Sequence, residues 1–304
     1  MASPEHQLLV FLEYVGTLGS DTCMEHLETM FAVSSGACFN YIMQVVSALL
    51  TLYNTVVVWP DTIERARIAA RIRSGFDFPN CIGLIDGTLL PLAFRPTTNG
   101  EDYYTRKGGY ALSALICCDG RARIMYTLVG WPGSAHDNRV WVNSAVFLSP
   151  SEHFAPAEYL LGDSAFRPST HMSPSFKKLP GGVLSREAEY FNTKLSKIRI
   201  RSEHSIGLPK ARFQYFKGVR VLIKSRKDLR RIIAFFKAVL VVHNLLIADP
   251  VPPELQHEVD AECESEARLR TDITRQTEDA SDEGGGTERR DQLLHYLVEL
   301  DGRY

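Results

Sequence analysis

Apolar side chains recur every three to four residues over Gln7–Val15, Cys23–Phe31 and Ser34–Leu52, and this spacing predicts three leading helices. The third is entered through Val33-Ser34-Ser35, where a hydroxyl can cap the first turn. Residues 59–80, WPDTIERARIAARIRSGFDFPN, read as a further helix closed by a Pro/Asn stop. Beyond it the pattern changes to short apolar runs. Ile82–Ile85 and Leu89–Phe94 flank an Asp86-Gly87-Thr88 turn, and Tyr110–Cys118 and Ile124–Val129 flank Asp119-Gly120, which reads as strands joined by tight turns. A helix-like stretch follows Asp137, Tyr159–Gly162 forms another strand, and helical spacing then returns.

Three strands, a helix, a further strand and more helices is the order of an α/β fold with an RNase H-like mixed sheet flanked by helices. It puts Asp86 on the first strand and Asp163 on the fourth, with both strand tips side by side. The leading helices suggest a small helix-turn-helix-like segment whose last helix carries Ser35, Asn40 and Tyr41 near its exposed face. That segment has almost no basic residues to grip phosphates, so a purely structural helical cap stands beside this reading. The division expected is a helical segment at 1–58, an α/β domain at 59–248, an acidic linker at 249–287 and a C-terminal helix at 288–304.

Composition narrows the class. With 304 residues, 45% hydrophobic and 23% charged, the chain has the make-up of an ordinary globular protein. No run reaches the roughly 20 apolar residues that span a bilayer, and no charged segment leads into an apolar one at the N-terminus, so a soluble intracellular protein without membrane contact is expected. The six cysteines show no CxxC pairing, which argues against a zinc ribbon or disulfide framework and for small buried side chains. The net charge of −2 conceals segregation: Lys194–Lys237 holds fourteen Lys and Arg against Glu203 and Asp228, whereas Asp249–Glu283 holds twelve acids against three arginines. Such a basic stretch attracts a polyphosphate chain, though solvated basic faces of amphipathic helices give the same count. Pro250, Pro252, Pro253, the acids and Gly284-Gly285-Gly286 offer too little apolar surface for order, and Leu293, Leu294, Leu297 and Leu300 return to helical spacing.

Asp86 in CIGLIDGT and Asp163 in YLLGDSAF each end an apolar run, while Glu203 lies in the polar, helix-like LSKIRIRSEHSIG. Three carboxylates so placed can converge on a hard divalent cation, Mg²⁺ or Mn²⁺, and a pair of such ions can stabilise the attacking and leaving oxygens of a phosphodiester displacement. The residues taken alone also allow blander roles. An Asp beside Gly often bonds its own backbone in a turn, and Glu203 can pair with Arg199 or Lys210 along a helix. Asp137, between Gly133-Ser134 and Asn138–Trp141, can cap a helix N-terminus.

The segments IDGTLLPLAFRP, DYYTRKGGYAL, WPGSAHDNRVW, YLLGDSAF, FNTKLSKIRIRSEHSIGLPKARF and VVHNLL resemble, in order, successive blocks of the Harbinger-type DDE transposases and their domesticated relatives, over about Phe78 to Ala248. The resemblance implies that Asp86, Asp163 and Glu203 are the catalytic acids of a DDE nuclease domain at 59–248, with Asp137 counted among the metal-binding positions. It implies a transposase-like nuclease that cuts DNA, nuclear residence, and a Myb-like DNA-binding partner protein. Self-association into a homo-oligomer is left open.

For contact with DNA the aromatic and basic cluster Tyr103, Tyr104, Arg106 and Lys107 is one candidate, with packed tyrosines in a solvated loop as its alternative. Arg199, Arg201, Lys210, Arg212, Lys217 and Arg220 on both sides of Glu203 are the other. His136 is expected to be structural, and His204, about 100° around a helix from Glu203, to contact DNA or pack on the sheet. Two features depart from the family pattern: Gly207-Leu208-Pro209, where a proline is expected to kink the helix, and Phe166-Arg167 in place of Tyr-Pro. Two rivals to DNA cleavage are a domesticated DNA-binding or scaffold protein that keeps the fold without cutting, and a nuclease acting on RNA.

Overall fold

The computed structural model describes residues 2–17, 24–178, 182–249, 252–253, 256–261 and 287–302. Three helices lead: α1 (Pro4–Gly16), α2 (Met24–Phe31) and α3 (Ser35–Val56), the last capped by the Ser34 hydroxyl, which accepts from the Ala37 amide. The helix α4 (Thr62–Phe76) starts at Asp61, whose carboxylate accepts from the Glu64 amide, and stops at Asp77 in the left-handed region.

The sheet contains β1 (Cys81–Pro91), β2 (Ala111–Cys118), β3 (Ile124–Pro132), β4 (Tyr159–Gly162) and β5 (Met172–Pro174) in the order β3-β2-β1-β4-β5. The β1–β2 and β2–β3 pairs are antiparallel and the β1–β4 and β4–β5 pairs parallel. Between β3 and β4 lie α5 (Asp137–Val142), α6 (Ala145–Leu148) and α7 (Pro150–His153). After β5 come α8 (Arg186–Arg212), α9 (Arg226–Leu245) and α10 (Thr287–Leu300).

The sequence reading needs correction at β1. Asp86-Gly87-Thr88 is not a turn between two strands: β1 is continuous from Cys81 to Pro91, and Asp86, Gly87 and Thr88 pair with Ile116, Leu115 and Ala114. Asp86 is therefore a mid-strand residue rather than a strand tip. The ladder bonds to β2 outweigh the turn preference of Asp-Gly, and β5 went unread because three residues carry no period. At Pro209, where the sequence predicts a kink, α8 continues to Arg212, and the Pro209 carbonyl accepts from the Phe213 amide. Nor is the chain without a long apolar helix. The 22-residue α3 has no charged side chain and meets the length and composition of a membrane span, yet its Cys38, Ile42 and Val46 pack in a common core with α1 and α9.

Two apolar clusters share one face of the sheet. Leu84, Cys118 and Leu161 pack with Ile68 and Ile72 of α4, Phe191, Leu195 and Ile198 of α8, and Leu293 and Leu297 of α10. Further along the same face, Leu90, Leu112, Ala114 and Ile116 pack with α1, α3, α9 and Ile206 of α8. The opposite face carries Ile82, Ile85, Leu115 and Leu160 against Val140 and Trp141 of α5. Thus α8 lies across the seam between the two clusters of the first face, with Ile198 in one and Ile206 in the other. The C-terminal helix docks on this body: Tyr190 donates to Asp301, Lys194 lies 3.6 Å from the Asp301 carboxylate, and the Arg290 guanidinium stacks 4.1 Å from the Phe176 ring centroid.

Among the linker residues, 256–261 are described and helical, with Val259 buried against Leu208 and Ala211 and Glu258 3.1 Å from the Lys217 ammonium. The remainder of the expected linker lies almost wholly outside the described residues, as do Cys23 and Cys263. Cys38, Cys81, Cys117 and Cys118 are free, buried thiols, as read from the sequence.

Candidate metal and nucleic-acid site

The seam under α8 is where the polar residues gather. Leu84 of β1 is in register with Leu161 of β4, and Asp86 and Asp163 each lie two residues further on. Equal offsets on neighbouring parallel strands put both side chains on one face, about 5 Å apart at the backbone. That face is the one α8 covers, since Leu84 and Leu161 both touch Leu195 and Ile198's cluster. The Cys118 thiol faces the Arg201 carbonyl at 3.9 Å and fixes the height of the helix over β2.

Each acid has a different local frame. Asp86 is wholly buried, and its Oδ1 accepts from the Gly87 amide at 2.9 Å. Asp163 is 9% exposed, with Oδ1 accepting from the Ala165 amide at 2.9 Å. Asp163 thus shows the turn-type backbone bond that the sequence left open for it, while Asp86 bonds the next amide from within the strand. Glu203 sits on α8 with its side chain 22% exposed. One α8 residue links the first and third acids: Arg199 Nη2 lies 3.6 Å from Asp86 Oδ2 and 4.0 Å from Glu203 Oε1. Around them, Ser202 Oγ donates to the Arg199 carbonyl at 2.8 Å and Ser205 Oγ to the Ser202 carbonyl at 2.7 Å, so these hydroxyls satisfy themselves along the helix.

Asp137 approaches from the other face. It is the first residue of α5, after His136 at the cap position, and its carboxylate lies over Gly87: a Cβ added there would meet Oδ1 at 2.1 Å. The glycine after Asp86 therefore serves close approach, not a turn. Arg106 reaches the His136 ring at 3.1 Å, and burial together with this guanidinium lowers the imidazole's pKa, which keeps the ring neutral.

The expected DNA contacts separate into two groups. Tyr104, Arg106 and Lys107 are exposed on the loop before β2, with Tyr104 edge-on to Tyr110. Arg201 is exposed on α8. By contrast, Lys210 is only 7% exposed, and Arg212 reaches the Leu246 carbonyl at 3.5 Å from a partly buried position. Arg199 points at the acids. These three are thus placed inside the body, because α8 turns that side to the sheet and to α9.

Among the described residues no three His, Cys, Asp or Glu side chains converge on a single ion position as they stand, and a guanidinium faces two of the candidate acids. The donor set still suits a hard divalent cation. It is all carboxylate oxygen, and the fully buried Asp86 requires a positive partner.

A mixed five-stranded sheet with helices on both faces defines an α/β protein, and Asp86 on β1 and Asp163 just past β4 lie at the junction of its two parallel central strands. The family described as "DDE superfamily endonuclease" matches residues 85–244, more than half of the chain, and the chain belongs to it. Among curated relatives it is similar to "Putative nuclease HARBI1" of Rattus norvegicus, 27% identical over 167 residues, covering 54% of this chain and 46% of the relative. The Homo sapiens protein of the same name is 28% identical over 170 residues, with coverage of 54% and 46%. "Protein ALP1-like" of Arabidopsis thaliana is 24% identical over 224 residues, covering 66% of this chain and 52% of the relative. The chain spans about half the length of the curated relatives it matches. No solved structure matches.

Proposed function

We propose that this chain is a divalent-metal-dependent nuclease of the RNase H-like type that cleaves DNA phosphodiester bonds, and that it works in the nucleus. The observation that carries the reading is the placement of Asp86 on β1 and of Asp163 at the end of its parallel neighbour β4, each two residues beyond the register pair Leu84 and Leu161, with Glu203 on α8 sharing Arg199 with Asp86. The strand order β3-β2-β1-β4-β5, antiparallel through β3-β2-β1 and parallel at β1-β4, supports the RNase H-like assignment.

In this reading Asp86, Asp163 and Glu203 hold Mg²⁺ or Mn²⁺, which supplies Lewis-acid activation of water or a 3′-hydroxyl and stabilises the leaving oxygen. Asp137, pressed against the backbone at Gly87, holds β1 in place behind Asp86. The loop of Tyr104, Arg106 and Lys107 and the exposed Arg201 bind backbone phosphates, while Lys210 and Arg212 act as interior cations. A Myb-like partner protein and self-association belong to the same proposal as means of choosing DNA ends.

One observation favours a second reading. The Arg199–Asp86 ion pair supplies the buried acid with a fixed cation, as in a scaffold that binds DNA without cutting. Nicking of supercoiled DNA with Mg²⁺ or Mn²⁺ separates the two. Asp86→Asn, Asp163→Asn and Glu203→Gln, each checked for folding, are expected to lose at least a hundredfold in rate. Equal nicking by all four proteins, or none by the wild type, sinks the nuclease reading; RNA cleaved in place of DNA redirects it to the other substrate.

A further inference from the structure

We propose that the Arg199 guanidinium is the resting counter-ion of the acidic seam: it occupies the place of the divalent cation, closes off Asp86, and leaves when the cation enters. This rests on the metal-holding role given above to Asp86 and Glu203.

One guanidinium nitrogen faces both Asp86, at 3.6 Å, and Glu203, at 4.0 Å. Neither distance is that of a hydrogen bond, whereas a settled arginine–carboxylate pair shows two short N–H···O contacts. Among the described residues neither Nε nor Nη2 of Arg199 donates a hydrogen bond. Nε and Nη2 are therefore held towards the acids by charge and burial rather than by hydrogen bonds, which is the condition under which a stronger cation displaces them. A hard divalent ion is stronger on two counts: twice the charge, and a preference for the oxygen donors that an arginine serves poorly here.

Burial favours the exchange. Asp86 is buried while the Arg199 side chain beside it is 15% exposed, so the position Arg199 fills joins the acid to the surface. The exit is short. Ile200 and Arg201, the next two residues of α8, are exposed, and so is Lys197 before it. A guanidinium that turns out of the seam on its three-carbon stem joins Lys197 and Arg201 at the surface, where it can meet a DNA phosphate. Cation entry thus raises the positive charge of the nucleic-acid face as the site forms.

The test is Mn²⁺ titration calorimetry on the full chain at low salt, comparing wild type with Arg199→Met and Arg199→Lys. It is joined by phenylglyoxal footprinting of arginines in the wild type with EDTA or with saturating Mn²⁺. Arg199→Met is expected to bind Mn²⁺ at least tenfold more tightly, and Arg199 in the wild type to pass from protected to reactive when Mn²⁺ is added. Mn²⁺ binding that is unchanged or weakened by Arg199→Met overturns the proposal. If the Met variant does not fold, the wild-type footprint decides: binding without a change in Arg199 reactivity overturns it equally. Absence of Mn²⁺ binding in wild type and both variants is a separate result, which removes the metal site itself and the counter-ion role with it.

Discussion

Gly87→Ala probes the contact that ties the two faces of the sheet together behind Asp86. A Cβ on residue 87 would stand 2.1 Å from Asp137 Oδ1, 2.3 Å from Cγ and 2.6 Å from Oδ2. Ordinary contact needs about 3.4 Å or more, so the carboxylate must retreat by more than an ångström. The α5 backbone cannot give easily, because Val140 and Trp141 fix it in the core of the opposite face. Overpacking of this kind costs about 1–3 kcal/mol, while replacing a strand glycine by alanine returns about 0.5–1 kcal/mol, which leaves a net loss of about 1–2 kcal/mol. Urea unfolding followed by tryptophan fluorescence measures it. In an Asp137→Ala background the clash partner is gone, and Gly87→Ala should become neutral or slightly stabilising. The same cost in both backgrounds would refute the steric argument.

Three further outcomes follow from groups away from the seam. His243 is fully buried on α9, and desolvation lowers its pKa from 6.5 to about 4. The unfolded chain therefore binds a proton that the folded chain refuses between those values, so stability falls as pH drops through that window, by about 3 kcal/mol in all. The difference in acid unfolding between wild type and His243→Leu should show this slope, and parallel curves would exclude it. Asn244 accepts from the Ile124 amide at 3.0 Å and donates to the carbonyls of Ile124 and Val56 at 2.8 and 3.0 Å. Asn244→Leu should cost about 3 kcal/mol in denaturant titration by stranding buried backbone groups; a loss under about 0.5 kcal/mol would mean that water replaces them. Leu297 of α10 has no exposed surface, so Leu297→Ala should destabilise the whole domain by about 2–4 kcal/mol, with one transition; an unchanged midpoint would show that the helix folds apart from the body.

Element order was readable because each segment carries its own period: Leu195 and Ile198 mark one face of α8, and the run Ala111–Cys118 is apolar but for Ser113, as suits a strand buried on both sides. Asp86 and Asp163 stand out in the sequence for a related reason, since one interrupts an apolar strand and the other directly follows one. What the sequence hid is set by pairing across the chain. Whether Asp-Gly turns or continues depends on β2 lying alongside it, 25 or more residues away in sequence. Which basic residues of Lys194–Lys237 reach solvent depends on how α8 is rotated against the sheet, and a charge count does not contain that angle. Arg199 was placed among the DNA contacts on composition. Its spacing four residues before Glu203 had also offered a pairing along the helix, and the structure places the two 4.0 Å apart.

Charge magnitudes explain why an arginine belongs in that seam. Two unit negative charges at the roughly 5 Å spacing of neighbouring strands would repel by about 3 kcal/mol at an effective dielectric constant near 20, before any desolvation cost. A single guanidinium nitrogen 3.6 Å from Asp86 returns about 5 kcal/mol in the same medium. Repulsion is offset, but little remains to meet the loss of hydration of a wholly buried carboxylate, which amounts to several kcal/mol. On these three terms the metal-free seam is close to balance rather than strongly stabilised, and removal of Arg199 tips it towards repulsion. A divalent ion at similar range would double the attraction and draw on Asp163 and Glu203 as well. The same near-balance that lets the chain fold with its acids buried is what leaves the site open to exchange.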